Sequence, residues 1–352
     1  MLATADHPLI ITNWAGRDAD AWHALSDLAE RHAIPVVQWR NRFMSIASDH
    51  PMNLGYEPKA LLEIADVVLT VDIAVPWLPA AHTVRDDAKI IHMAPDPLYG
   101  YVPVRGHRAD IALACSTPLG LRALDAALSA HTSGAGDRIE SRRAVLAERR
   151  EDMRAGWREA LARVKHETPV HPAWLSHCIG EIKGEDAIVI KESGLMLPHV
   201  NFSRPGTMLN AGAASGLGWG LGCALGAKLA APDRLVIATE GDGAYMFCNP
   251  IASHYVAAEQ DLPILTIIFN NQRWDAVRRA TLGLTPDGHA ARSNRAPITY
   301  LDGIDKYEKA VEVADGHGER VTTPDELMPA LERALKAVTV ERRQALVNVM
   351  CS

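Results

Sequence analysis

With 352 residues, 48% of them apolar and 22% charged, the chain is too long for one core and too apolar for disorder or a coiled coil. Two domains of about 150 to 200 residues fit best. Its 36 basic and 43 acidic side chains give a net charge of −7, which leaves no diffuse basic surface for nucleic acid or an anionic membrane.

Short β-branched runs alternate with amphipathic stretches from the N-terminus onward. Leu9–Thr12, Val36–Gln38, Val67–Val71, Lys89–His92 and Ile111–Cys115 are the expected strands of the first half, with helical spacing at Ala19–His32 and Pro58–Ala65 between them. This is βαβ repetition, so a parallel sheet covered on both faces is expected for a first domain at 1–131. Residues 132–168, small at first and then dense in Arg and Glu, read as a linker and a solvated charged helix. From 169 to 352 the alternation resumes, with strands expected at Ala187–Lys191, Leu235–Thr239, Ile264–Asn270 and Leu346–Met350. The fold class is therefore α/β, two doubly wound parallel-sheet domains.

Cys115, Cys178, Cys223, Cys248 and Cys351 are odd in number and form no C-x-x-C pair, which argues against a disulfide framework or a thiolate zinc site. A cytoplasmic setting fits. Met1–Gly16 has no basic region ahead of a long apolar core, and no run reaches the roughly 18 apolar residues of a membrane span.

The chemistry concentrates in the second half. The strand ending at Thr239 runs into Glu240-Gly241-Asp242-Gly243-Ala244, and Asn249-Pro250 then opens a helix, Asn suiting an N-cap and Pro the first helical position. Asp242 is thereby placed at the carboxyl end of a strand, where parallel sheets bind ligands, with glycines that allow backbone amides close to an anion. The next long strand ends in Asn270-Asn271, so a carboxylate and an amide oxygen are expected on neighbouring strand ends. Hard oxygen donors of this kind suit Mg²⁺ together with phosphate oxygens. Alone, Gly-Asp-Gly is also an ordinary turn, and Ser193-Gly194 after a strand makes one equally well. Glu192 and Glu240 read as single carboxylates beside strand ends, with surface or helix-dipole roles. Gly218, Gly222 and Gly226 would form a smooth helical stripe open to close backbone packing.

Strand-GDG-helix-strand-NN at this separation resembles the signature of thiamine diphosphate-dependent enzymes, in the decarboxylase and acetolactate synthase-like superfamily. The resemblance covers nearly the whole chain. It implies thiamine diphosphate and Mg²⁺ as cofactors, with the ion on Asp242, Asn271 and the backbone of Arg273. It further implies diphosphate contacts from Ser193, Gly194, Leu195, Gly241, Gly243 and Ala244, although Ala244 stands where the family often has a hydroxyl. Gly216 and Leu217 are implied to meet the rings: Leu217 matches the apolar wedge that bends the cofactor, and Ser215 the residue whose carbonyl receives its amino group. Such positioning makes a weak intramolecular base effective.

Chains of this superfamily usually begin with a pyrimidine-binding domain carrying a Glu, whereas His7-Pro8-Leu9-Ile10-Ile11 resembles the start of the central domain. The expectation is a separate small pyrimidine-domain subunit that supplies the Glu, in a hetero-oligomer with at least two copies of each subunit. The implied reaction makes or breaks a C–C bond beside the carbonyl of a 2-oxo acid or 2-hydroxyacyl substrate. The alternative is a non-catalytic cofactor-binding or regulatory subunit that keeps the fold. A nicotinamide fingerprint is absent, since 212–222 has no G-x-G-x-x-G register.

Overall fold

The computed structural model describes all residues except 133, 135, 212–215 and 304. The chain divides into two compact units, Met1–Glu159 with Asn201–Ala213, and Ala160–Val200 with Ala214–Ser352.

In the first unit β1 (Pro8–Thr12), β2 (Val36–Gln38), β3 (Val67–Val71), β4 (Lys89–Ala94) and β5 (Ile111–Ala114) form one parallel sheet in the order β2-β1-β3-β4-β5. Every residue of β1 and β3 is buried, which is why these strands read as continuous apolar runs rather than alternating ones. The helices α1 (Ala19–His32), α2 (Lys59–Leu62), α3 (Thr117–His131) and α4 (Gly136–Val164) follow in chain order. Asp18 caps α1, its carboxylate accepting from the amides of Asp20 and Ala21.

The charged helix α4 is not simply a solvated face. Arg142 donates to the carbonyl oxygens of Ala33 (2.8 Å), Ala5 (3.1 Å) and His32 (2.7 Å), and Arg143 donates to that of Glu30 (2.8 Å). Those of Glu30, His32 and Ala33 lie at the C-terminus of α1, the negative end of its dipole, where carbonyls run short of helical partners, so the guanidinium groups meet both demands, and Ala5 ties in the N-terminal segment. The apolar side of α4 has little to offer, Leu146 being its one buried residue.

In the second unit α5 (Pro172–Ile182) leads into β6 (Ile188–Lys191). The short β7 (Met208–Asn210) belongs to the first unit, where Leu209 bridges Phe43. Then come α6 (Gly220–Ala230), β8 (Val236–Gly241), α7 (Asp242–Phe247), α8 (Pro250–Glu259), β9 (Leu265–Asn270), α9 (Asp275–Leu284), α10 (His289–Ser293), α11 (Glu308–Glu312), β10 (His317–Val321), α12 (Pro324–Thr339) and β11 (Ala345–Met350). The sheet of this unit runs β10-β11-β9-β8-β6, and these strands pair in parallel. Thr323 and Glu326 cap α12 reciprocally, with Pro324 at its first turn.

Two local expectations are corrected. Asn249 precedes α8 in the left-handed conformation, φ 49°, and its side chain makes no cap, although Pro250 does occupy the first turn. Gly218 lies ahead of α6 at φ +86°, and Gly222 and Gly226, on α6, have no neighbouring element within 4 Å of where a Cβ would stand, so among the described residues the three do not form a helical stripe for close packing. Among the described residues, no helix is long and apolar enough to cross a membrane.

Candidate functional site

The order β9-β8-β6 brings three strand-to-loop junctions side by side. Glu240 pairs with Ile268 and Gly241 with Phe269, while Lys191 pairs with Thr239. The residues following each strand, Glu192-Ser193-Gly194 after β6, Asp242 after β8 and Asn271 after β9, therefore emerge at one carboxyl edge. A cleft of about 650 Å³ opens there, lined among others by Ser193, Gly194, Leu195, Leu217, Gly241, Asp242, Gly243, Ala244, Asn271 and Arg273. Parallel sheets hold ligands at this edge because loops diverge there and backbone amides converge. Gly216 is exposed and does not line the cleft, and Ser215 lies outside the described residues.

Asp242 is the first residue of α7 and only 2% exposed. Its carboxylate accepts from the amide of Gly243 (2.9 Å) and from that of Arg273 (3.1 Å), and the Arg273 amide also lies 3.1 Å from the Asn271 side-chain oxygen. The carboxylate and the amide oxygen thus converge on one N–H. Burial pushes the Asp242 carboxyl up to about 6, against the lowering effect of its backbone amides. The hydrogen-bond partners of this carboxylate among the described residues are backbone amides, so a buried anion faces a half-buried oxygen donor without a cationic side chain on it. Two hard oxygens and an uncompensated charge are the donor chemistry that Mg²⁺ fits.

The glycines of the turn serve packing more than open amides. A Cβ on Gly243 would lie 2.4 Å from the Trp274 ring, and one on Gly241 would lie 3.0 Å from the Ser193 hydroxyl. Gly194 adopts φ +78°, and a Cβ there would lie 2.2 Å from the Phe269 ring. The hydroxyl that Ala244 lacks is present on Ser193, which accepts from the Gly241 amide at 2.7 Å and keeps its own proton free to donate. The amides of Ser193 and Leu195 are engaged with the Thr239 and Ser193 carbonyls, so these N–H groups are not open to an anion.

The structure adds what the sequence reading treated as incidental. Glu192 accepts from the amides of Gly218 (2.5 Å) and Gly220 (2.6 Å), beside Leu217. Glu240 is fully buried, and neither of its carboxylate oxygens has a hydrogen-bond partner among the described residues. One ligand atom each of Glu192, Glu240 and Cys248 lie within 4.8 Å of one another. Burial first, and then the neighbouring Glu192 charge, push the Glu240 carboxyl well above the ordinary range. A Glu immediately ahead of Gly-Asp-Gly was the available signal. The arginines that follow Asn271 are committed locally: Arg278 donates to the Asn294 side chain (2.9 Å) and Arg279 pairs with Asp275 (3.0 Å).

Comparison with known proteins bears on this edge directly. The family model for the C-terminal, TPP-binding domain of thiamine pyrophosphate enzymes matches residues 193–349, and the model for the central domain of the same enzymes matches residues 1–124. The chain belongs to the thiamine pyrophosphate enzyme family. Within its acetolactate synthase-like superfamily, a probable acetolactate synthase of Mycobacterium bovis is 29% identical over 99% of this chain and 60% of its own length. An oxalyl-CoA decarboxylase of Escherichia coli is 24% identical over 99% of this chain and 59% of its own length. A Rhodococcus jostii thiamine diphosphate-dependent 4-hydroxybenzoylformate decarboxylase has the same fold, with a TM-score of 0.73 at 21% identity, over 100% of this chain and 62% of that one. The chain thus spans about 60% of the length of the curated relatives it matches.

Proposed function

We propose that the chain is the larger, diphosphate-binding subunit of a heteromeric thiamine diphosphate enzyme. In this reading it makes or breaks the C–C bond beside the carbonyl of a 2-oxo acid or 2-hydroxyacyl compound. The observation that carries it is the meeting of the Asp242 and Asn271 side-chain oxygens at the Arg273 amide, inside a cleft that Ser193, Gly194 and Leu217 also line.

Thiamine diphosphate, when bound, supplies the electron sink for cleaving or forming that bond. The chain's own residues do the holding. Asp242, Asn271 and the backbone of Arg273 would hold Mg²⁺, and the Ser193 hydroxyl would receive the diphosphate. Because the Asp242 carboxyl sits at about 6, ion binding selects its ionised form and strengthens as pH rises through that value. Leu217 would press on the ring portion from one side, and the Trp274 and Val277 side chains border the same cleft.

A separate subunit carrying the pyrimidine domain and its Glu would complete the enzyme. In support, Leu217, Phe247, Val277 and Ile298 line one apolar hollow and are 50%, 62%, 55% and 93% exposed, an apolar surface large enough to mark an interaction site.

The test is calorimetric titration with thiamine diphosphate, with and without Mg²⁺, on wild type and Asp242→Ala. Binding that requires the ion and disappears in the variant is expected. Binding that survives both changes would remove the assignment. Co-expression with a pyrimidine-domain protein should give a complex that turns over 2-oxo acids, and no complex with added activity would leave the heteromeric part without support.

A further inference from the structure

We propose that Glu192 is the positioning residue for Leu217, latching the turn that carries it to the end of β6; this rests on the thiamine diphosphate reading of the cleft.

Leu217 stands between two glycines, half exposed, ahead of α6. Nothing in its immediate sequence holds it. Gly218 has φ +86°, and a Cβ there would lie 2.5 Å from the Phe247 carbonyl carbon, so the turn is bent where only glycine fits. Trp219, which precedes α6, offers no side-chain cap. The amides on either side of Trp219, those of Gly218 and Gly220, both point at Glu192, one to each carboxylate oxygen, at 2.5 and 2.6 Å. A single carboxylate thereby caps the helix, favours its positive dipole end and fixes the residue next to Leu217 with charge-assisted bonds.

The latch is itself anchored. The Glu192 amide donates to the Thr239 carbonyl at 3.1 Å, tying it to β8, the strand that delivers Asp242. A Cβ on Gly220 would lie 2.2 Å from a Glu240 oxygen and 2.9 Å from a Glu192 oxygen, so the two carboxyl groups and the start of α6 are packed with no slack. The placement of Leu217 against the metal end of the cleft therefore runs through Glu192. Each Glu192 oxygen is engaged by one of the two amides of this turn.

The experiment compares two ligands with Mg²⁺ on the full chain: thiamine diphosphate, which has rings for Leu217 to meet, and inorganic pyrophosphate, which has none. Glu192→Gln keeps size and one acceptor oxygen but turns an NH₂ toward the second amide. We expect it to weaken thiamine diphosphate binding about tenfold and to leave pyrophosphate within about twofold, the loss of one charge-assisted acceptor being felt only at the rings. Leu217→Ala should reproduce that pattern, and the double variant should lose nothing further. Equal weakening of both ligands, no weakening of either, or losses that multiply in the double variant would overturn the proposal. Should Glu192→Gln fail to fold by circular dichroism, Glu192→Asp, one methylene short of the second amide, is read by the same criteria. Asp242→Ala separates the two levels: if it leaves pyrophosphate binding intact, the cleft is not the diphosphate site. If it abolishes binding while the Glu192 variants stay silent, only the positioning role falls.

Discussion

Replacing Asp242 by Asn separates what this carboxylate does for folding from what it does in the cleft. The side chain is 2% exposed, and burial raises its pKa from 3.8 to about 6. The folded chain therefore holds this proton more tightly than the unfolded chain. The resulting penalty is absent below the unfolded value of 3.8, grows as pH rises to about 6 and stays constant above it. At about 1.4 kcal/mol per unit, ionised Asp242 costs the fold about 3 kcal/mol at pH 7.5. Asn has the same shape without the charge. Its oxygen retains one of the two bonds now made to the amides of Gly243 and Arg273, while its NH₂ opposes the other, a loss of about 1 to 2 kcal/mol. The variant should thus be more stable than wild type by about 1 to 2 kcal/mol without ligands at pH 7.5, a rise of roughly 2 to 8 °C in Tm. The gain should vanish at pH 4. Thermal and urea denaturation at both pH values measure it directly. With Mg²⁺ and thiamine diphosphate at a hundred times Kd, wild type should gain about 2.7 kcal/mol and the variant nothing, reversing their order. An Asn variant less stable than wild type at pH 7.5, or one that the ligands stabilise equally, would refute the argument that this charge is kept for a cation.

Three further outcomes follow from the same geometry. Glu240 is buried and its carboxyl is pushed well above the ordinary range, so relative to Glu240→Gln the wild type should lose about 1.4 kcal/mol of stability for each pH unit above 4.5 until the folded pKa is reached; urea titrations of both chains from pH 5 to 8 with parallel slopes would contradict this. Gly194→Ala, forced into φ +78° with its methyl against the Phe269 ring, should destabilise by about 2 to 4 kcal/mol, and an unchanged urea midpoint would show the turn yields freely. Arg142→Ala removes three bonds to carbonyls at α1 and the N-terminal segment and should cost about 2 to 4 kcal/mol, with Arg142→Lys recovering less than half because an ammonium lacks the planar fork; full recovery in the Lys variant would mean charge alone suffices.

Most of the two sheets was legible because buried parallel strands are written as apolar runs: the expected Val36–Gln38 and Val67–Val71 are the observed β2 and β3. Two strands escaped for definite reasons. His317–Val321 is a polar edge strand with only Val321 buried, and Met208–Asn210 is three residues long. The pairing of Asp242 with Asn271 was readable because only helical chain, α7 and α8, separates their strands, and consecutive units of this kind place strands side by side. The partnership of Glu192 with Glu240 was not readable. It depends on β6 lying against β8 with Lys191 opposite Thr239, a register that no local pattern records, so each Glu looked like a lone surface acid. The arginines of α4 misled in the opposite sense. Their density is that of a solvated face, and only the position of the α1 C-terminus shows that Arg142 and Arg143 are occupied by carbonyls.

Several departures from ordinary packing in the second unit meet at the carboxyl edge of its sheet. Two carboxyl groups, Asp242 and Glu240, are buried where solvation is lost; Gly194 and Gly218 are held at positive φ; and Leu217 is exposed where a leucine would be expected inside. All lie on the ends of β6 and β8 or on the turn they hold, and the two buried carboxyl groups lower the stability of the ligand-free chain. A fold selected only to persist would have repaired them with neutral or apolar residues of the same volume, since such replacements of buried charges are often neutral or stabilising. Under the proposed function they would share one explanation, a ligand with a cationic centre beside a rigid apolar body: the ion would relieve Asp242, and the apolar body would cover Leu217. Glu240 then differs from Asp242 in kind. It lies beside Glu192, which holds the amides of Gly218 and Gly220, and burial with that neighbouring charge pushes its carboxyl well above the ordinary range.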